Sequence, residues 1–585
     1  MKYPTLPVQK SSRETVEYFK GYNHNLRIGK NEFFDMRNMS SDNYPVLSPR
    51  GKRGFYVKPA SPQGLIAKDV ICYVDGQEFV MGEYRVDMGL STAVEDCPKQ
   101  LVSMGAYVIV MPDKKYINTM DITDFGNIEA SFTSSTDVSF ALCTITGDTY
   151  DNTVISPAEP DNPANLDYWI DTSSTPHTLK QFSATSGMWV IIATTYVKIS
   201  AAGIGAAFEQ YDGVTISGIV GAGIQDLNGT MVIQAKGDDY IVVVGIIETV
   251  TTQTAADGAI KVERKMPNLD FLIESENRLW GCRYGVALNG DVVNEIYSCK
   301  LGDFRNWNCF MGLSTDSYAA SCGTDGQFTG AITHLGYPLF FKENCVHKVY
   351  GNYPANFQIQ TTACRGVQKG CHGSLAIVNE TLFYKARTGI CAFDGSLPSE
   401  ASYALGNESY SDAVGGAHGN KYYVSMKDVE GIWHLFVYDT AKGMWHREDN
   451  LHASAFCSCR GEMYCVDADA RNIITMLGSG VEDTGEVQWM VETGELGISS
   501  PDMKYISRIT VRMSMAIGAK AEFYAQYDMS DEWVHVCTIF GTNLRSFSIP
   551  IRPRRCDYMK LRIVGEGVAK IYSITKTIER GSDIS

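Results

Sequence analysis

Short apolar runs separated by polar turns recur along the chain at a spacing of about 40 to 50 residues, the pattern of structural repeats that stack on one another. The clearest copy is residues 419–449, GNKYYVSMKDVEGIWHLFVYDTAKGMWHRED. Tyr422, Tyr423 and Val424 make one apolar run, and Leu435, Phe436, Val437 and Tyr438 make a second; Gly431 lies in the polar turn between them. Aromatic and β-branched residues suit a pleated, half-buried surface, so the segment predicts a hairpin that ends in Asp439-Thr440 and then Trp445. Related copies lie at 376–395, at 278–307 (closing in Asp303, Phe304 and Trp307), at 337–350 and at 461–477. A lone hairpin is marginal in water, so such units must stack to bury their faces. Period and turn chemistry together predict a β-propeller, in preference to a sandwich whose hairpins resemble one another by chance.

The same pattern divides the chain. Residues 1–59 form a polar arm and a signature segment, in which residues 32–38 are expected to make one helical turn. Residues 60–146 supply the first blades, with hairpin turns at Asp75-Gly76 and Pro112-Asp113. A Pro-rich acidic stretch at 156–163 opens an inserted β-rich domain, 147–265, with Trp169, Leu179, Phe182, Trp189 and Tyr196 as its expected core. Residues 266–480 return to blade pattern. Residues 481–585, with short alternating strands such as ISRITVRM and YMKLRIVGEG, predict a C-terminal β-sandwich. The fold class is therefore all-β: a propeller with an inserted small β domain and a C-terminal sandwich.

A chain of 585 residues exceeds one ordinary core, and 54 glycines with 11% aromatics fit many strands and turns rather than helices. No charged start leads into an apolar h-region, and no apolar run is long enough to span a bilayer. Synthesis in a cytoplasm and no membrane insertion are the expectation. The 16 cysteines sit mostly among apolar neighbours, as in Ile390-Cys391-Ala392, where a thiol acts as a small core residue. His452 with Cys457, Cys459 and Cys465 lacks zinc-site spacing, so no metal or other cofactor is expected. The net charge is -16, which argues against bulk nucleic-acid binding, yet residues 1–58 hold eleven Lys or Arg against five Asp or Glu.

The segment 21–54, GYNHNLRIGKNEFFDMRNMSSDNYPVLSPRGKRG, resembles the N-terminal signature of tailed-phage propeller proteins of the packaged-DNA stabilisation and tail-nozzle type. The corresponding residues are Gly21, Asn23, Glu32, Asp35, Asn38, Leu47, Arg50, Arg53 and Gly54. The blade segments IYSCKLGDFRNW and GCHGSLAIVNETLFYKARTGICAFDG are similar to blades of those proteins. The resemblance implies a structural virion protein of the neck or tail, made in a host bacterium, forming a ring with a hexamer as the leading stoichiometry. Such a ring would contact the portal or an adaptor and other tail proteins, and would let DNA pass without reading its sequence. Arg50, Lys52 and Arg53 are then expected to contact neighbouring subunits or the connector.

Hydrolase and nucleotide-site motifs such as Gly-x-Ser-x-Gly, His-Glu-x-x-His and the phosphate loop are absent. Ser314-Thr315-Asp316-Ser317 lacks the Gly and Trp of a sialidase turn. The expectation is a chain that is not an enzyme. A receptor- or carbohydrate-binding tail propeller is the alternative, and a glycosidase the third reading.

Overall fold

Short apolar runs flanked by polar turns produce the hairpins where the sequence places them. Lys421–Lys427 and Trp433–Asp439 pair from Lys421↔Asp439 to Lys427↔Trp433, and their inner residues Tyr422, Val424, Leu435, Phe436 and Val437 are buried. Gly431 turns the chain between them at φ 86°. Ser411–His418 and Met444–Arg447 pair on either side, completing a four-stranded antiparallel blade. The computed structural model describes residues 11–580 apart from 93–98, 151–152, 222, 288–289, 483–484, 499–502 and 529. Among these, every regular element is a strand or a short 3₁₀ turn.

Four-stranded antiparallel sheets of this kind recur at 62–87, 100–127, 271–321, 330–363, 376–400 and 411–447. At 453–475 three strands are completed by Gly54–Val57, which pairs with Asn472–Thr475 through Ile473↔Val57 and Thr475↔Gly54. The fold is all-β and propeller-like, with a blade that joins strands from distant parts of the sequence. This mixing follows from the edge problem: an unpaired blade edge is a template for another strand, and the N-terminal strand fills it.

The described residues fall into two units, one within Met1–Lys99, Phe340–Val346 and Thr362–Ser585, the other within Gln100–Leu339 and His347–Thr361. In the second unit the 100–127 and 271–321 blades share a core of Met104, Ile109, Leu272, Leu279 and Trp307. The inserted domain lies in the same unit and packs around Phe140, Ile199, Phe208, Ile216 and Ile241. It begins earlier than the Pro-rich stretch suggests: Ala130–Thr133 already pairs with Lys261–Arg264, and Val138–Cys143 with Tyr196–Ser200. Of its expected core residues, Trp169 and Leu179 are buried, while Phe182, Trp189 and Tyr196 are half-buried. Asp212 and Arg264 form a buried ion pair, and Asn306 donates to Asp212 at 2.9 Å, joining the insertion to the turn that carries Trp307.

In the first unit one thirteen-stranded sheet runs from the 411–447 blade into the C-terminal strands. The N-terminal signature is the connecting piece. Tyr22 pairs with Trp445, Gly21–Tyr22 runs parallel to Glu32–Arg37, and Glu32–Arg37 pairs with Gln488–Thr493. Residues 32–37 are thus a strand, not the helical turn expected, because strands on both sides take up their backbone groups. The C-terminal β domain also includes Ser11–Val16, which pairs with Ala569–Arg580 and gives order to part of the polar arm; residues 1–10 lie outside the described residues. The long strand Lys504–Tyr527 pairs first with Ala569–Arg580 and then with Met559–Glu566, changing partner near Gly518 at φ 90°.

Two signature glycines are explained by close approach. A Cβ on Gly21 would lie 2.3 Å from the Trp445 carbonyl oxygen, and its φ of 87° suits only glycine. A Cβ on Gly54 would lie 2.2 Å from the Ser479 carbonyl oxygen, which is backbone and cannot swing away. Gly54→Ala is therefore expected to cost about 2 kcal/mol or more, read as a lower denaturation midpoint, because the completing strand must move off its blade. Trp280, Trp307 and Trp445 are core residues at 3%, 1% and 2% exposure. Trp433 differs: it is half-buried and stacks on His452 with ring centres 3.9 Å apart.

Candidate functional site

The three basic residues singled out by the signature come first. Arg53 donates from Nη1 to Asp449 Oδ2 at 2.7 Å and from Nη2 to Glu448 Oε2 at 2.8 Å. Arg50 donates from Nε to Asn38 Oδ1 at 2.9 Å and from Nη2 to Asp449 Oδ2 at 3.3 Å. Their side chains are 11% and 15% exposed, and Glu448 is 7% exposed. Burial alone would raise the Asp449 carboxyl; Arg53 and Arg50 hold it below its ordinary value. Burial would likewise lower Arg53, but Asp449 and Glu448 more than offset this and stabilise its charge. Arg50, buried beside the Arg53 charge, is held lower than usual. The expectation that Arg50 and Arg53 face another subunit is corrected by this geometry: their donors are turned inward onto carboxylates of the 411–447 blade. Lys52 pairs with Glu486 at 3.2 Å and is 27% exposed, so it alone of the three keeps a substantial open surface.

The remaining signature residues work in the same way. Asn23 Nδ2 donates to Glu32 Oε2 at 2.8 Å, Asn38 Nδ2 donates to the Gln488 carbonyl at 2.7 Å, and Arg447 Nη1 donates to Asp35 Oδ1 at 3.2 Å. Leu47 is 5% exposed and exchanges backbone hydrogen bonds with Ile571.

A pocket of about 560 Å³ opens beside this element, lined among others by Tyr22, His24, Asp35, Glu408, Tyr410 and His434. Three pieces of chain supply it: the strand pair at 21–37, the loop at 407–410, and the hairpin turn at 428–432 with its following strand. Glu408 accepts from the Tyr410 hydroxyl at 2.8 Å and lies 3.5 Å from His24 Nε2. Asp428 Oδ2 meets His434 Nε2 at 2.7 Å, while its other oxygen accepts the amides of Glu430 and Ile432. Burial would raise Asp428, but the His434 contact and the two amides bring it below its ordinary value. Burial and then Asp35 push the Tyr22 phenol up; burial and then Tyr22, with Glu408 beyond, do the same for Tyr410. Both phenols therefore stay protonated, and Tyr410 donates to Glu408. His434 Nδ1 and Arg447 Nε have no hydrogen-bond partner. The arrangement provides acid–base pairs, hydroxyl donors and an apolar floor in one cleft. Glu408–Tyr410 and Asp428–His434 are local pairs that match no catalytic motif, and only the fold brings them together with His24.

His446, on the strand between Trp445 and Arg447, is 1% exposed with both ring nitrogens unpartnered. Burial, then the nearby Lys421 charge, lowers its pKa from 6.5 to about 3. The folded-state pKa lies below the unfolded one, so its contribution is complete above 6.5 and declines as pH falls toward 3. His446→Phe is expected to flatten the loss of stability between pH 6.5 and 5, above most carboxylate titration, as measured by urea midpoints across that range. Among the described residues no group of His, Cys, Asp and Glu is arranged to hold a metal ion; His452 instead meets Asp469 at 2.8 Å. The thiols of Cys457 and Cys465 are pushed up, to about 12 for Cys457, first by burial.

No protein-family model matches the chain, and no curated protein does. Solved structures do. An exo-β-1,3-galactanase from Phanerochaete chrysosporium is 8% identical over 52% of this chain and 94% of its own, with a TM-score of 0.21. A glycoside hydrolase family 43 arabinoxylan arabinofuranohydrolase from Bacillus subtilis is 8% identical over 52% and 94%, at 0.18. A Trypanosoma rangeli sialidase is 8% identical over 97% and 96%, at 0.24. At these scores the likeness assigns no activity. Glycosidases and a sialidase stand among these matched structures, against the expectation that the chain is not an enzyme.

Proposed function

We propose that the chain is a structural subunit of a tailed-phage neck or tail, present in several copies around the DNA path. The observation that supports this reading is the role of the signature segment. Gly21, Asn23, Glu32, Asp35, Asn38, Leu47, Arg50, Arg53 and Gly54 all serve one connecting element, which ties a blade to the C-terminal strands and completes a second blade. Residues of a shared sequence pattern that all hold one element in place are what a family-wide architecture requires. The net charge of -16 fits a channel wall along which DNA slides, since few phosphate contacts means little counterion release and little grip. The test is mass spectrometry and electron microscopy of purified virions: the chain should be present in fixed multiple copies below the capsid. Its absence from particles would overturn the proposal.

A second reading is favoured by the 560 Å³ pocket: a tail propeller that also takes a glycan of the host surface. Clefts that combine carboxylates, imidazoles and aromatic residues suit sugar hydroxyls and C–H faces.

A further inference from the structure

We infer that the cleft between the 407–410 loop and the 428–432 turn is a saccharide site selective for neutral and amino sugars over anionic ones. The inference rests on the second reading above and names its ligand class. Charge decides the class. Asp35, Glu408, Asp428 and Glu430 line the cleft against a single guanidinium, Arg447, whose charge is already directed at Asp35. An anionic sugar or a phosphate would enter against an excess of like charge, whereas a protonated amine would meet a complementary field.

Hydrogen-bonding capacity points the same way. A sugar hydroxyl both donates and accepts, and the lining offers partners for each. Glu430 lies on an exposed turn, and Glu408 has its Oε1 only loosely engaged by His24 at 3.5 Å. Both can accept from hydroxyls. Arg447 Nε and His434 Nδ1 are buried beside the cleft without a hydrogen-bond partner. The apolar part of the cleft suits the C–H face of a pyranose. Phe436 and Tyr22 form its buried floor, and Val429, 83% exposed, stands at the rim with Ile432 at 42%. A ligand without hydroxyls would leave the carboxylates unmatched, and a purely polar one would waste the rim.

The experiment uses the full chain and four probes: glucose, N-acetylglucosamine, glucosamine and N-acetylneuraminic acid, followed by saturation-transfer NMR and titration calorimetry. The first three are expected to bind, with glucosamine tightest, and N-acetylneuraminic acid at least about tenfold more weakly. Glu408→Gln keeps the Tyr410 contact but removes a charge, and is expected to reduce the preference for glucosamine several-fold. Asp428→Asn serves as the second variant, with circular dichroism confirming the fold of each. Preference for N-acetylneuraminic acid would overturn the charge argument and leave the glycan-binding reading standing. No binding of any probe by the folded chain would overturn both. Binding unchanged in both variants would place the sugar elsewhere and sink the inference.

Discussion

Exchange of Arg53 for glutamate is expected to prevent the first unit from reaching its native state. Arg53 is the fork on which Asp449 and Glu448 both rest, at 2.7 and 2.8 Å, and it immediately precedes the strand that completes the 453–475 blade. Breaking a buried pair from one side costs about 3 to 5 kcal/mol, because the remaining charge stays desolvated without a partner. Reversal adds a third carboxylate to the two already there. Against a whole-domain stability of about 5 to 15 kcal/mol that loss is decisive. Arg50→Glu should be milder, since Arg50 makes one longer contact to Asp449, at 3.3 Å, and shares Asn38. Urea unfolding followed by tryptophan fluorescence measures both. An Arg53→Glu chain with a wild-type midpoint would show that the ion-pair cluster does not hold the fold and would return Arg53 to the role of a partner contact.

Trp445→Ala is the second large effect, with an expected cost of about 3 to 5 kcal/mol. The indole is 2% exposed, packs on Tyr438 at 4.9 Å between ring centres, and donates from Nε1 to the Ala401 carbonyl at 2.8 Å. Its backbone pairs with Tyr22 and its carbonyl oxygen lies where a Cβ on Gly21 would fall. Truncation therefore leaves a cavity, an unpaired carbonyl and a loosened seat for the signature strand. Trp433→Ala, by contrast, removes a half-buried ring that stacks on His452 and should cost clearly less. Equal midpoints for the two variants would mean that burial does not separate their roles.

The two tryptophans illustrate what local pattern can resolve. Which of the two is core depends on what lies across the sheet. The same holds for residues 32–37. Their composition is compatible with a helical turn, and only Gly21–Tyr22 on one side and Gln488–Thr493 on the other make them a strand. The insertion boundary was misplaced because proline and acidic residues mark a surface stretch, whereas pairing of Ala130–Thr133 with Lys261–Arg264 marks the domain. For the basic segment the charge was legible and its direction was not. A surplus of Lys and Arg in residues 1–58 looks like a free surface until Glu448 and Asp449, some 400 residues away, are brought against it.

By itself the sequence determined the strand-and-turn grammar, the all-β class and the positions of the hairpins at 337–350, 376–395 and 419–449. These depend on short apolar runs, buried on both faces, and on turn residues such as Gly76 and Gly431, which act over a few neighbours. Tertiary structure alone decided which strand completes the 453–475 blade, that Arg50 and Arg53 are internal ties, and that His24, Glu408, Tyr410, Asp428 and His434 share one cleft. The physical reason is contact distance along the chain. A hairpin is specified by residues that are already adjacent, but a buried ion pair or a cleft is specified by desolvation, which exists only once remote segments have excluded water between them.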